Sequence, residues 1–403
     1  MEEHAAKLLE ECRNSHQTEA LDLLGARSRV LAQDIIADRD FPPFPRATRD
    51  GFAIYAADVE SVPAHLEVIG EIKAGDLPET SGRSIAITPG HAVSIMTGAA
   101  LPMGADAVVM IEYTNTTGDR VEIERSVKSG ENFVPQGAEA RAGQVLVERG
   151  HRLDHAVIAL AAAVGKARVE VFRKPRVAVL ATGDEVVEIK AAPGPAQIRN
   201  SNTYSLAAQI AEAGAEPVPL PIAPDKPGRL RELIEEGLKC DLLLITGGVS
   251  MGKYDLVEQA LGGLHTEFFF TEAQIQPGKP IVFGASHVLN QGKYFFGLPG
   301  NPVSTMVTFR LFVQPIIAAL AGARPEPLVF LKARLKSEVR TKTGLTRFLP
   351  AVILGEFENA EVELAAWQGS GDIAALARAN CYLVIPPDRE RINSGEWVSV
   401  LMC

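Results

Sequence analysis

The stretch from Arg176 to residue 321 constrains the fold most, because strand-like and helix-like segments alternate along it. Apolar runs such as RVAVLAT, PVPLPI and DLLLITGG are separated by helix-like segments at 203–213, 227–238 and 255–261, and another follows at 302–321. Parallel strands need long crossover connections, which helices usually supply. The alternation predicts a doubly wound α/β domain over residues 173–323, with a mostly parallel sheet and helices on both faces.

Short strand-like runs separated by Gly, Pro and Asp fill residues 45–135 and indicate a small β domain. Helix-like sequence lies before it, with apolar residues at three- and four-residue steps through positions 1–40, and after it, in LDHAVIALAAAVG at 153–165. We therefore expect the β domain to be inserted into a helical, linker-like N-terminal layer of residues 1–44 and 136–172. Short strands return after the Pro-rich GARPEP and predict a C-terminal β domain over 324–403.

Composition narrows the classes of function. The 403 residues carry a formal charge of −10 without a Lys/Arg run, which disfavours a nucleic-acid partner. Four scattered cysteines match neither a disulfide framework nor a zinc site, as expected in a reducing cytoplasm. The N-terminal sequence lacks a signal-peptide pattern, and the longest apolar runs fall short of the ~18 residues of a membrane span. We expect a cytoplasmic protein that does not enter the membrane.

Two loops carry the most informative chemistry: TGDEV at 182–186 and TGGVSMGKYD at 246–255. Each follows an apolar strand and precedes helix-like sequence, so both should lie at the carboxyl edge of one sheet, where α/β domains bind ligands. Their glycines let backbone amides approach an anion, and their acids suit Mg²⁺ beside a phosphate. The candidate residues are Thr182, Gly183, Asp184, Glu185, Gly247, Gly248, Ser250 and Asp255. For either loop alone, tight turns and helix capping are an equally good interpretation, and the pairing favours a phosphate site.

Four weaker signals lie elsewhere. In GLPGNPVS, Asn301 and Pro302 begin a helix whose free amides form an anion site or are merely capped. QPGKP places Lys279 on a rigid turn, where it binds an oxyanion or is simply solvated. Asp50 and Thr97 of the β domain, and Ser370 between two glycines, allow both a ligand-binding and a purely structural interpretation.

The sequence contains no HExxH, GxSxG, Walker A or GxGxxG context, so zinc and nucleophilic hydrolysis have no support. Carboxylates, one lysine and glycine turns remain. This set suits metal-assisted phosphoryl chemistry and oxyanion binding.

In order along the chain, the segments PPFPRATRDGFA, IMTGAALPMGADAVV, PRVAVLATGDEV, TGGVSMGKYD, QPGKP, GLPGNPVS and GSGDIAALARAN resemble those of molybdopterin molybdenumtransferases, the MoeA and gephyrin E-domain family of molybdenum insertases. The resemblance covers nearly the whole chain. It implies a homodimer of elongated four-domain subunits, each with a C-terminal β-barrel. It also implies that the inserted β domain of one subunit faces the α/β and C-terminal domains of the other.

The resemblance further implies a reaction in which adenylylated molybdopterin and molybdate are the substrates, Mg²⁺ is the cofactor and AMP is released. A molybdopterin adenylyltransferase and molybdoenzyme-maturation proteins would be the partners. Glu185 and Asp255 would lie at Mg²⁺ and the pyrophosphate, with Asp225 as a further acid. Asp50 and Thr97 would reach the site from the partner subunit. Lys279 and Ser370 would bind molybdate, and Pro299 and Pro302 would shape its pocket.

Three departures from the family pattern concern the oxyanion site. Gln276 replaces a lysine before PGKP, and Leu345 and Pro350 replace two arginines of the last domain. Arg347 and Arg49 are additional cations. We hypothesise that one of them compensates for the positive charge lost at the oxyanion site. Two alternatives therefore stay open: a pterin-binding scaffold with weakened insertion activity, and an insertase that uses tungstate.

Overall fold

The structure, a computed structural model, describes residues 5–10, 17–76, 85–248, 256–262, 264–287, 292–324 and 326–403. Two predicted site residues, Ser250 and Asp255, lie outside the described residues.

The α/β domain is built on a six-stranded sheet. Its strands lie in the spatial order Glu216–Pro219, Arg176–Ala181, Leu242–Thr246, Lys293–Leu298, Pro280–Ser286 and Thr266–Glu272. The first four strands run parallel, and the last two complete the sheet in antiparallel pairings. The helices are Asn202–Glu212, Pro227–Gly237, Leu256–Gly262 and Pro302–Leu320, the last with a π-helical turn at Phe309–Val313. The predicted mixed α/β architecture is confirmed.

Helices cover both faces of this sheet. Successive residues of a strand point to opposite sides of the sheet, so each strand contributes side chains to both layers. Val177 and Val179 pack with the helices 202–212 and 302–320, whereas Ala178 and Leu180 pack with the helix 227–237. All four of these strand residues are fully buried. Because helices cover both faces, a ligand reaches the central strands at their ends.

The N-terminal layer is less helical than the sequence predicts. Helix spans residues 5–10 and His155–Ala163, but Thr18–Asp22 is a strand paired with Arg168–Phe172. Ile35–Ile36 likewise pairs with Val145–Val147. The helix expected through residue 40 is therefore wrong beyond the first turns: strand pairing outweighs local periodicity, and Ser28 at φ 63° interrupts any helix.

The inserted region forms a second six-stranded sheet. Its strands are, in spatial order, Ala107–Met110, Gly51–Ile54, His91–Ile95, Ala64–Ile72, Arg120–Ile123 and Thr114–Thr117. Arg46–Ala47 and Phe133–Val134 pair at its base. Short 3₁₀ turns lie at Ala56–Val59 and Ile111–Tyr113.

The C-terminal domain is a closed five-stranded barrel, as predicted. Its strands are Phe330–Leu335, Thr346–Leu354, Glu361–Leu364, Cys381–Ile385 and Trp397–Met402. Asp372 starts its helix Ile373–Arg378 by accepting a hydrogen bond from the Ala375 amide at 2.9 Å. The two-residue strand Ile275–Gln276 of the α/β domain adds in parallel to this barrel. Minor elements are the pairs Val339–Arg340 with Arg391–Ile392 and Val186–Val187 with Ile198–Arg199, and a 3₁₀ turn at Phe357–Asn359.

One described helix, Pro302–Leu320, has the length and apolar composition of a membrane span, with a mean hydropathy of 1.6. In the most apolar 18-residue stretch of this helix, 56% is buried within the fold. Phe309, Val313 and Ile317 pack in the core of the α/β domain. Such burial is typical of a core helix.

Candidate functional site

A cavity of about 760 Å³ opens at the carboxyl ends of three neighbouring strands. Thr182, Thr246 and Pro299 lie just beyond or at those ends and line the cavity. Hydrogen bonds join the loops: the Thr182 amide donates to the Thr246 carbonyl at 3.0 Å, and the Thr246 hydroxyl donates to the Pro299 carbonyl at 3.1 Å. The described parts of the two loops selected from the sequence, which end at Gly248 in the second loop, therefore share one crevice with residues 299–302 of GLPGNPVS.

Glycines bring these loops close together. Gly247 has φ 92°, and a Cβ atom there would lie 2.6 Å from the Thr182 carbonyl oxygen. A Cβ atom on Gly300 would lie 3.5 Å from the Cα atom of Gly247. Gly247 and Gly248 both line the cavity with left-handed backbone, which glycine adopts readily. The Gly247 amide donates to the Leu298 carbonyl at 3.3 Å, so the Gly248 amide is the candidate donor to an anion.

The acids of TGDEV divide between two places. Glu185 is exposed and lines the cavity. Asp184 turns to the adjoining loop, where its Oδ1 accepts a hydrogen bond from the Asp225 amide at 3.1 Å. Asp184, Asp225 and Gly183 do not line the cavity. Of the described predicted acids, the α/β domain thus presents Glu185 to the cavity.

The segment 199–202 also lines the cavity, although the sequence analysis did not select it. The Asn202 amide nitrogen donates to Thr246 Oγ1 at 2.9 Å and to the Gly300 carbonyl at 2.8 Å. The Asn200 side chain accepts from the Thr203 amide at 3.1 Å and begins the helix 202–212. The available signal was RNSN directly before a helix, which the turn-rich residues around it obscured.

The start of the helix Pro302–Leu320 differs in detail from expectation. Asn301 occupies the capping position, but its side chain makes no capping hydrogen bond. The Val303 amide, expected to be free, donates to the Ser370 carbonyl at 3.0 Å. This hydrogen bond fixes the barrel loop against the α/β domain, and Gly371 and Ile373 beyond Ser370 close one side of the cavity together with Pro302.

Lys279 lies outside the cavity lining, although its neighbour Pro280 is part of it. The Lys279 ammonium lies 3.5 Å from a carboxylate oxygen of Glu272, and both side chains are largely exposed. Exposed pairs of this kind contribute about 0–1 kcal/mol, so the lysine is readily released to another anion.

Asp50 and Thr97 are brought together in the inserted domain, away from the cavity lining. Asp50 Oδ1 accepts hydrogen bonds from the Thr97 amide at 2.6 Å and the Thr97 hydroxyl at 2.7 Å. These bonds lower the pKa of Asp50 below its usual value, the backbone amide contributing most. The aspartate is exposed and stays ionised at neutral pH.

Models of three protein regions match successive parts of the chain. They are described as MoeA N-terminal region (domain I and II), probable molybdopterin binding domain, and MoeA C-terminal region (domain IV), and they match residues 1–165, 178–319 and 332–402. A molybdopterin molybdenumtransferase of Nostoc sp. is 37% identical over 399 residues, which are 96% of this chain and 89% of that protein. The chain belongs to the molybdopterin molybdenumtransferase family.

Other relatives agree. The molybdopterin molybdenumtransferase of Bacillus subtilis is 34% identical over 395 residues, with 96% of this chain and 90% of that protein covered. The crystal structure of the molybdopterin biosynthesis moeA protein from Pyrococcus horikoshii OT3 has a TM-score of 0.75 and 30% identity, and 99% of each chain is covered. The predicted family, and the predicted class of enzyme, a transferase of molybdenum cofactor biosynthesis, are confirmed.

The three residues at which the sequence departs from the expected pattern lie on or beside two paired strands, Ile275–Gln276 and Thr346–Leu354, the second of which directly follows Leu345. Gln276 is in register with Arg347, and Pro350 lies farther along the same strand, opposite Tyr382. Arg347 is only 8% exposed, and its guanidinium donates twice to the Lys342 carbonyl, at 2.8 and 3.1 Å. Arg49, in contrast, is exposed beside Asp50.

Proposed function

We propose that this protein inserts molybdenum by cleaving adenylylated molybdopterin in the presence of molybdate, with release of AMP. The supporting observation is the 760 Å³ cavity, which combines a glycine loop, one carboxylate and a wall from the barrel. Its volume is ample for a nucleotide-sized ligand, since small-molecule pockets typically span about 300–1,000 Å³. We further propose that the protein acts as a cytoplasmic homodimer downstream of a molybdopterin adenylyltransferase.

The glycine loops bind the diphosphate in this proposal. The Gly248 amide donates to a phosphate oxygen in this proposal, because Gly248 has positive φ and lines the cavity, whereas the Gly247 amide donates to the Leu298 carbonyl at 3.3 Å. Asn202 holds the loops at a fixed separation through Thr246 and Gly300. Fixed donors stabilise charge in the transition state without a cost of reorganisation.

Mg²⁺ fits the residues present. Mg²⁺ is usually held by one or two carboxylates together with substrate phosphates, and Glu185 offers an exposed carboxylate at the cavity. The described residues contain no cluster of three His, Cys, Asp or Glu side chains, so a metal cage made by the protein alone is not offered there. When bound, Mg²⁺ supplies positive charge to the leaving phosphate. Glu185 would hold it, with Asp255 as the second ligand proposed from the family resemblance.

The oxyanion site is proposed at the junction of the Lys279 turn and the Ser370 loop. Both segments are attached to the barrel, one through Ile275–Gln276 and the other through its own chain. Lys279 exchanges Glu272 for molybdate, and Ser370 donates its hydroxyl, while Pro299 and Pro302 shape the pocket. Of the two additional arginines, we propose that Arg49 compensates for the lost cations, because Arg347 is buried on the Lys342 carbonyl.

Asp50 and Thr97 complete the site from the second subunit in this proposal. Neither lines the cavity of its own chain, yet Asp50 is exposed, ionised and fixed by two hydrogen bonds. A rigid, exposed carboxylate on a separate domain is suited to act on a ligand that another chain binds.

The decisive experiment measures AMP release from purified protein given adenylylated molybdopterin, Mg²⁺ and either molybdate or tungstate. Release that depends on molybdate is expected. Release that depends on tungstate alone would assign the enzyme to that oxyanion. Binding of the substrate without oxyanion-dependent release would refute the insertase and favour a pterin-binding scaffold.

A further inference from the structure

Two oxygen atoms at the cavity have no hydrogen-bond partner. Among the described residues, the buried side-chain atoms without a partner are Thr182 Oγ1, Asn202 Oδ1, Thr203 Oγ1 and Arg310 Nε. Thr182 and Asn202 line the 760 Å³ cavity, whereas Thr203 and Arg310 do not. Thr182 is 4% exposed. A buried polar atom left unpaired is costly, so a ligand that supplies the missing bonds binds more tightly.

Both residues adjoin Thr246 at the cavity. Asn202 donates to Thr246 Oγ1, and the Thr246 carbonyl accepts from the Thr182 amide. Thr182 Oγ1 would lie 3.1 Å from a Cβ atom placed on Gly247, so it borders the glycine loop. Both side chains are therefore grouped around the end of the strand Leu242–Thr246.

The chemistry of Asn202 Oδ1 excludes an anion as its partner. The Asn202 amide nitrogen already donates twice, so its Oδ1 is available only as an acceptor. Phosphate and molybdate oxygens are acceptors too, and two acceptors repel. The acceptor Asn202 Oδ1 matches an amino group of a heterocycle. The Thr182 hydroxyl, which both donates and accepts, matches the ring nitrogen or carbonyl next to that amino group.

We propose that Asn202 and Thr182 recognise the exocyclic amino edge of a heterocycle in the substrate, while the glycine loop binds its diphosphate. This inference rests on the proposed function, because adenylylated molybdopterin carries two such edges, one on adenine and one on the pterin. Asn202 accepts a hydrogen bond from the amino group, and Thr182 donates to or accepts from the adjacent ring position. The cavity thereby selects the ligand by its neutral end as well as by its charge.

The test compares ligand pairs that differ in the amino group alone or nearly so: AMP with inosine monophosphate, and 6-carboxypterin with 6-carboxylumazine. Equilibrium binding to the full-length protein is measured by calorimetry. We expect about tenfold tighter binding of the amino member in one pair, since one hydrogen bond and the relief of repulsion contribute about that factor. The pair that shows the preference identifies the heterocycle.

Variants then assign the preference to residues. Asn202→Ala should reduce it to less than twofold, and Thr182→Val should weaken both members about tenfold. Thr203→Val is the matched control, because it removes an equally buried and unpaired hydroxyl outside the cavity lining and should leave binding unchanged. If Asn202→Ala does not fold, the wild-type comparison and the nearly isosteric Thr182→Val still decide.

Equal affinities within both pairs, no binding of any of the four probes, or a preference that survives Asn202→Ala would each overturn the proposal. AMP release from the complete substrate is measured separately. Release without an amino preference would leave the insertase function standing and reject only the recognition by Asn202 and Thr182.

Discussion

The Glu185 carboxylate lies against the Cα atom of Gly183, so closely that a Cβ atom there would be 2.5 Å from Glu185 Oε2. Gly183 also has φ 132°, which other residues rarely adopt. We therefore expect Gly183→Ala to displace the carboxylate from the cavity and to lower AMP release about 100-fold. Gly228→Ala is the control, since a Cβ atom there meets nothing within 4 Å. Normal release by Gly183→Ala would show that the position of Glu185 is unimportant.

Removing the charge of Glu185 tests its proposed role directly. Glu185→Gln keeps the shape of the side chain, and we expect AMP release to fall at least about 100-fold, the usual loss when one electrostatic contact to a transition state is removed. Because the side chain is exposed, the midpoint of thermal unfolding should stay unchanged. Glu188→Gln removes an exposed acid three residues away and should behave like wild type. Equal AMP release by Glu185→Gln and Glu188→Gln would contradict the proposed role of Glu185.

A site shared between subunits predicts complementation. Glu185→Gln and Asp50→Asn should each be inactive alone, because each spoils every site of its own homodimer. Mixed dimers carry one site with both acids intact and one with neither, so co-expression should restore up to about a quarter of wild-type AMP release. Restoration is expected only if the acids act on the same ligand from different chains. No restoration in isolated mixed dimers would place both acids in the same subunit's site, and normal AMP release by Asp50→Asn alone would place Asp50 outside the site.

The oxyanion role of Lys279 predicts a change in concentration dependence. Lys279→Gln should raise the molybdate concentration for half-maximal AMP release about ten- to a hundredfold, because one charge-assisted hydrogen bond is lost. Lys336→Gln is the control, since Lys336 forms a similar exposed ion pair with Glu363, at 2.7 Å, on the barrel. An unchanged molybdate dependence in Lys279→Gln would remove this lysine from the site.

The barrel should lose stability in acid through Glu396. Hydrogen bonds from the Asn393 amide and from Arg389 lower the pKa of its carboxyl from 4.5 to about 2. Since the folded pKa is the lower one, the contribution to stability is complete above about pH 4.5 and is lost as the pH falls toward 2. We expect the unfolding midpoints of wild type and Glu396→Gln to converge as the pH falls from about 4.5 to about 2. Glu390→Gln, which removes a nearby exposed acid, should keep a constant offset from wild type.

Much of the fold followed from local pattern. The strands Arg176–Ala181 and Leu242–Thr246 are almost entirely apolar because both faces of the sheet are covered, and that pattern is visible in the sequence. The strand Thr18–Asp22 was not visible, because its partner Arg168–Phe172 lies about 150 residues away and its own sequence has helical spacing.

The candidate site shows the same division. Glycines and acids in short loops identified the crevice, since turn chemistry is local. The part played by Asn202 depends on atoms of Thr246 and Gly300, which only the folded chain brings within reach. The attachment of Ser370 to Val303 was equally inaccessible, because it joins a barrel loop to a helix of another domain.

The parallel pairing of Ile275–Gln276 with the barrel has a mechanical consequence. The Thr346 amide also donates to the Gln274 carbonyl at 3.1 Å. The segment that leads to Lys279 is therefore an added outer strand of the barrel as well as part of the α/β domain. Lys279 itself directly precedes the α/β strand Pro280–Ser286, and its carbonyl accepts a hydrogen bond from the Ala273 amide at 2.9 Å, so the lysine stays with the α/β domain. A rotation of the barrel away from that domain would therefore have to break the pairing of Ile275–Gln276 with the barrel, which restrains the two domains immediately beside the lysine.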